Sequence, residues 1–229
     1  MKTPRHPPRY HAKAVIFDLD GTLVDTAPDL AGALNHCLVS DGHQAFSVDE
    51  VRRLIGHGAD ALLRAAYQAK EGATPNAARL QAILKRYLGY YRAHIADHSQ
   101  VFDGVVDVLE TLFADNIKLG VCTNKPHDMA LNLLKHLGWL QYFESIIGGD
   151  VLPEKKPDPK HVLAVASALD TSPQDCFYVG DSEVDYAAAT AAEIPAVIVT
   201  FGYRNSAISD MPGAIALDHY DALLQILQA

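Results

Sequence analysis

Apolar residues fall in two rhythms along this chain. Short unbroken runs at Ala14-Val15-Ile16-Phe17, 117–122, 145–147, 176–179 and 196–200 read as strands buried on both faces of a parallel sheet. Between them apolar residues return every three or four positions. Ala130, Leu133, Leu134 and Leu137 form one such stripe, ending at Gly138, and Val162, Val165, Ala166 and Leu169 form another. Strand followed by helical crossover, repeated, predicts an α/β fold: a Rossmann-like parallel sheet core flanked by helices.

Residues 24–98 break this alternation, because no strand-like run interrupts them. Leu80, Ile83, Leu84, Tyr87, Leu88, Tyr91 and Ile95 keep helical spacing for several turns. Thr26 with Asp29 and Ser47 with Glu50 read as capping boxes, and Thr74-Pro75 as an N-cap followed by a first-turn proline. The expectation is an inserted all-helical cap domain at 24–98 over a core made of 13–23 and 99–229. Placed just after the first strand, it would lie over the C-terminal edge of the sheet, where a lid belongs.

A chain of 229 residues, 49% of them apolar, has enough material for a core domain with a smaller insertion. The net charge of -9 and the absence of a long basic run argue against nucleic acid or an anionic membrane as partner. A small phosphorylated metabolite becomes the expected ligand once the motifs below are read, with the chain a monomer or homodimer. No apolar stretch approaches the roughly 18 residues of a membrane span. Residues 1–12 are basic and proline-containing, without the apolar centre of a secretory signal, and read as a disordered tail. Cys37, Cys122 and Cys176 are widely spaced and suit reduced thiols in a cytoplasmic protein.

The chemistry gathers where the strands end. Asp18-Leu19-Asp20-Gly21-Thr22 follows the first apolar run, so Asp18 and Asp20 emerge together at a strand's C-terminal end, on the same side of extended chain. Their charges repel unless a cation is shared. A hard divalent metal, Mg²⁺, satisfies that need and leaves one Asp as nucleophile while the other handles protons.

Three further strand ends carry polar groups. Thr123-Asn124-Lys125-Pro126 offers a hydroxyl and backbone N–H groups to an anion, or else caps the next helix. Lys155-Lys156-Pro157 holds a lysine in extended conformation before proline, where it neutralises a carboxylate and a phosphate oxygen or forms a plain surface turn. Gly180-Asp181-Ser182-Glu183-Val184-Asp185 ends another strand. Asp181 there is a metal ligand or an N-cap, and Asp185, one turn on, orients waters or Lys156.

Together and in this order the four segments resemble the haloacid dehalogenase-like hydrolase superfamily. The resemblance implies that Asp18 is the nucleophile, Asp20 the general acid and base, Thr123 the phosphate-binding hydroxyl, Lys156 the charge-balancing and substrate-binding lysine, and Asp181 a Mg²⁺ ligand. Mg²⁺ is also expected on the Asp18 carboxylate and the Asp20 carbonyl, with Asn124 and Gly58 touching substrate. Asp20 separates this pattern from a carbon–halogen hydrolase, which has no leaving alcohol to protonate.

Within the superfamily, Asp25-Thr26-Ala27-Pro28-Asp29-Leu30, Ile55-Gly56-His57-Gly58-Ala59-Asp60 and Thr200-Phe201-Gly202-Tyr203 resemble the branch that converts 2-phosphoglycolate to glycolate and phosphate. The Gly56-His57-Gly58 turn and Arg53 are the candidates for the substrate carboxylate, a ligand-free glycine-rich helix boundary being the alternative. A sugar-phosphate phosphatase, a pyrophosphatase or a phosphosugar mutase would use the same core. A phosphoacceptor signalling receiver would share the acids, Thr and Lys, but has no use for a lid of this size.

Overall fold

The computed structural model describes residues 12–227, so the tail expected at 1–12 lies, but for its last residue, outside the described residues. Six strands form one parallel sheet in the order β5-β4-β1-β6-β7-β8. They are β1 (Ala14–Phe17), β4 (Lys118–Cys122), β5 (Ser145–Ile147), β6 (Cys176–Gly180), β7 (Ala196–Val199) and β8 (Ile215–Leu217). Counted within this sheet, the order is 3-2-1-4-5-6, the doubly wound arrangement whose switch point lies between β1 and β6. The sequence pattern does not predict β8. It is a three-residue edge strand, Ile215-Ala216-Leu217, of which Leu217 alone is buried, and so short an apolar run is not distinctive.

Alternation along β1 sorts the helices onto two faces. Val15 and Phe17 point into the cluster shared with α5 (Val105–Ala114), α6 (His127–His136) and α9 (Asp221–Leu227). Ala14 and Ile16 point the other way, toward α7 (Pro159–Ala168) and α8 (Glu183–Ala191). With both faces covered, every residue of β1, β6 and β7 is buried, as their unbroken apolar runs require.

The helical segment consists of α1 (Ala27–Ser40), α2 (Val48–Arg52), α3 (Ala59–Glu71) and α4 (Ala77–Ala93). It leaves the core at β2 (Val24–Asp25) and returns at β3 (Gln100–Val101), which pair antiparallel. Its apolar residues join the cluster on the Val15 face. Among the described residues, no helix is long and apolar enough to cross a membrane.

The Ser47–Glu50 capping box is present at α2. The other two cap assignments fail, each because the side chain has another partner. Thr26 precedes α1 without capping it, since its hydroxyl donates to Asp20 Oδ1 at 2.7 Å, and Asp29 accepts instead from the backbone of His98 and Ser99. At α4 the cap is Asn76, which accepts from the Arg79 N–H at 3.0 Å, while the Thr74 hydroxyl donates to Gln68.

Candidate active site

Parallel register brings Asp18, Thr123 and Asp181 to one edge. Phe17 stands beside Val121 of β4 and Val179 of β6, so the residues that follow each strand emerge side by side. Gly21 (φ +84°) turns the chain back behind Asp18, at a place where a Cβ would sit 2.5 Å from Asp181 Oδ2 and 2.7 Å from the Tyr203 ring. Only glycine fits that approach.

Lys156 reaches the same edge from the loop after β5, and its peptide bond to Pro157 is cis. Its ammonium is buried, donating to Asp185 Oδ1 at 2.6 Å and to the Tyr178 hydroxyl at 2.8 Å, and lying 2.9 Å from Asp18 Oδ1 at an angle outside hydrogen-bond geometry. Burial alone would lower the lysine pKa, but Asp18 and Asp185 override it and push it above the ordinary value. The neighbouring Lys155 has a different job, since its Nζ donates to the His57 carbonyl. Asp181 does not cap α8. Ser182 does, in a capping box with Asp185.

Asp18, Asp181 and Asp185 lie close enough for one cation to touch all three. Hydrogen bonding separates their roles. Both oxygens of Asp185 are taken, Oδ1 by Lys156 and Tyr178, and Oδ2 by the backbone N–H groups of Asp181 and Ser182 and the Ser182 hydroxyl. Burial works to raise the Asp185 pKa, but Lys156 and these bonds hold it below the usual range.

Asp181 is in the opposite state. Its Oδ2 accepts from the Tyr203 N–H and, among the described residues, no side-chain cation touches it, so burial, then Asp185 and Asp18, push its carboxyl well above the usual range. Burial likewise pushes Asp18 up to about 6, against the pull of Lys156. Two buried carboxylates short of positive charge fit a hard divalent cation, whose ligands would be Asp18 and Asp181 with Asp185 behind them.

A cavity opens from Asp18 and Asp20 toward α3 and α4. Thr123, Asn124, Lys125, Gly56 and Gly58 line it together with Leu30, Ile55, Leu62, Tyr87, Leu88, Tyr91 and Met129. The structure therefore brings together Asp18, Asp20, Thr123, Asn124 and Gly58 at the cavity, with Lys156 and Asp181 at the adjoining strand ends. Thr123 and Asn124 do not cap α6. The Asn124 amide instead donates to the carbonyls of Gly56 and Lys156, both at 3.0 Å, and so ties the helical segment to the core. Arg53 and His57 are exposed and do not line the cavity. His94 accompanies Asp97 on the surface.

Four groups went unread in the sequence. Lys125 is buried, and its Nζ donates to Asp20 Oδ1 at 2.7 Å and to the Tyr91 hydroxyl at 2.6 Å. It precedes Pro126 as Lys156 precedes Pro157, so the same restriction of the residue before proline marks it in the sequence. Tyr203 joins Asp181 to the first crossing, its hydroxyl donating to Asp25 and accepting from the Ala27 N–H. Tyr178 places a hydroxyl between Lys156 and Asp185. His161 braces the Lys156 loop from behind. For Tyr178 and His161 a buried polar partner is the only signal, and sequence spacing does not carry it; Tyr203 stands in the sequence within the Thr200–Tyr203 resemblance, without a role.

Residues 15–199 match the family described as haloacid dehalogenase-like hydrolase. A phosphoglycolate phosphatase of Cereibacter sphaeroides is 37% identical over 214 residues, covering 93% of this chain and 97% of that protein. One of Caulobacter vibrioides is 39% identical over 206 residues, covering 90% and 86%. Among solved structures, one described as a predicted phosphoglycolate phosphatase from Haemophilus somnus superposes with a TM-score of 0.89 at 31% identity, covering 95% of this chain and 98% of that one.

Proposed function

This chain belongs to the haloacid dehalogenase-like hydrolase family and is a phosphoric monoester hydrolase; we propose that it hydrolyses 2-phosphoglycolate to glycolate and phosphate through an aspartyl-phosphate on Asp18. The observation that carries the mechanism is the pairing of Asp18, buried beside Lys156, with Asp20 at the mouth of the same cavity. The similarity to phosphoglycolate phosphatases supports the substrate.

In this reading the Asp18 carboxylate attacks phosphorus in line with the ester oxygen, and the carboxyl of Asp20 gives that oxygen its proton as the alcohol leaves. Asp20 then takes a proton from the water that attacks the aspartyl-phosphate. Thr26 and Lys125, both 2.7 Å from Asp20 Oδ1, hold the carboxyl in place for both transfers. Lys156 balances the charge on Asp18 and a phosphoryl oxygen, and Thr123 with its neighbouring N–H groups holds the others. Mg²⁺, held by Asp18, Asp181 and the Asp20 carbonyl, would supply charge neutralisation for the phosphoryl group. The helical segment acts as a cap that excludes bulk water and contacts the rest of the substrate.

Asp18→Asn tests the nucleophile. The amide cannot form the acyl phosphate, so kcat is expected to fall by at least about 10³-fold with the fold retained. Retention of more than a few per cent of the wild-type kcat in a deamidation-free sample would assign the attack to another group.

A further inference from the structure

Lys125 supplies the charge this cavity needs for one kind of leaving group. The charged side chains among the lining residues are Asp18, Asp20 and Lys125. The nearby cations are engaged elsewhere: Lys156 with Asp185 and Asp18, Arg52 with Asp25 and Asp49, and Lys155 with the His57 carbonyl. The rest of the wall on the helical side is apolar, from Leu30, Ile55, Leu62 and Leu88, except for two tyrosines of α4. Tyr91 is already bound to Lys125. Tyr87 is 1% exposed, lines the cavity, and its hydroxyl has no hydrogen-bond partner among the described residues. A buried hydroxyl left unpaired carries a desolvation cost that a ligand atom at the same place would relieve.

We propose that the Lys125 ammonium and the Tyr87 hydroxyl form the subsite for a carboxylate on the leaving alcohol, and so select phosphate esters of small 2-hydroxy acids. This rests on the reading that Asp20 protonates the ester oxygen. Lys125 Nζ is within hydrogen-bond distance of the Asp20 carboxylate, so a group one or two bonds beyond the ester oxygen comes within reach of that ammonium. In 2-phosphoglycolate the carboxylate carbon stands two bonds from the ester oxygen. An ester with a neutral tail of the same length leaves the ammonium and the hydroxyl without an acceptor, and a site built around buried polar groups rejects such an analogue. The repulsion that Asp18 and Asp20 impose on a second anion is offset by the ammonium alone among the lining side chains.

The test is the ratio of kcat/KM for 2-phosphoglycolate to that for ethyl phosphate, which replaces the carboxylate by a methyl group. Any loss from misplacing Asp20 strikes both esters, and ethyl phosphate at least as hard because its alcohol is the poorer leaving group, so it does not lower the ratio. Lys125→Met is expected to lower the ratio by roughly ten- to a hundredfold, the worth of a hydrogen bond to a charged group. Tyr87→Phe is expected to lower it by about three- to tenfold without loss of thermal stability, since the hydroxyl it removes has no partner among the described residues. Should Lys125→Met fail to fold, the Tyr87→Phe ratio decides. Equal slowing of both esters by the lysine variant overturns the proposal and leaves Lys125 a positioner of Asp20. Wild-type protein that cleaves the two esters equally well also overturns it, with the phosphatase reading intact. Failure to cleave any monoester overturns that reading first.

Discussion

His161 stands behind the catalytic edge with both ring nitrogens engaged. Nδ1 accepts from the Lys156 N–H at 3.3 Å, so Nε2 carries the proton and donates it to the Gly148 carbonyl at 3.2 Å. Burial, then Lys156, push its pKa down to about 4 from an ordinary 6.5. A base lowered by folding gives stability that is complete above 6.5 and drains away as pH falls toward 4, because the unfolded chain takes up the proton first. Between pH 7 and pH 5 the loss should be about 2 kcal/mol. Urea unfolding of wild type and His161→Gln at both pH values measures it as a difference. Asp18, raised to about 6, works in the opposite sense and is common to both proteins, so it cancels. Parallel pH profiles would mean that the imidazole is not held neutral by the fold.

At the scale of elements, the crossings between core and helical segment rest on side chains rather than on strand length, since β2 and β3 are two residues each. Asp29 of α1 accepts from the N–H groups of His98 and Ser99 and from the Ser99 hydroxyl, fixing the returning chain beside the departing one. Tyr203, Asp25 and Arg52 make a second tie from the sheet edge to α2. Asp29→Ala leaves three donors without their acceptor and is expected to cost about 2 to 4 kcal/mol in denaturant unfolding. A cost below about 0.5 kcal/mol would show the crossing to be held by packing alone.

The same elements show what the sequence can and cannot display. β1, β6 and β7 were legible because both faces are buried and the composition itself betrays them. Thr26 and Asp29 misled because a cap and a long-range tie use the same short polar side chains, and only the fold says which partner is near. Lys156 was legible through its proline and its place among the motifs. Lys125 was hidden inside a segment that ordinary helix capping already explained.

For the molecule as a whole, the sheet order puts Asp18 and Asp181 on either side of the switch point, where a doubly wound fold leaves its crevice. The helical segment inserted after β1 lines the cavity beside that edge, and Asn124 and Lys155 tie the Gly56–His57 turn to the core. The charged side chains of the cavity thus follow strands β1 and β4, and much of its apolar wall comes from α3 and α4. That division predicts one chemistry with a narrow choice of substrate. The direct measurement is the rate of phosphate release, at matched concentrations, from 2-phosphoglycolate, ethyl phosphate, glucose 6-phosphate, pyrophosphate and p-nitrophenyl phosphate, each with Mg²⁺ and again with EDTA. The account predicts the highest kcat/KM for 2-phosphoglycolate, silence in EDTA and recovery when Mg²⁺ is restored. A different ester preferred by tenfold or more, or turnover untouched by EDTA, would contradict it.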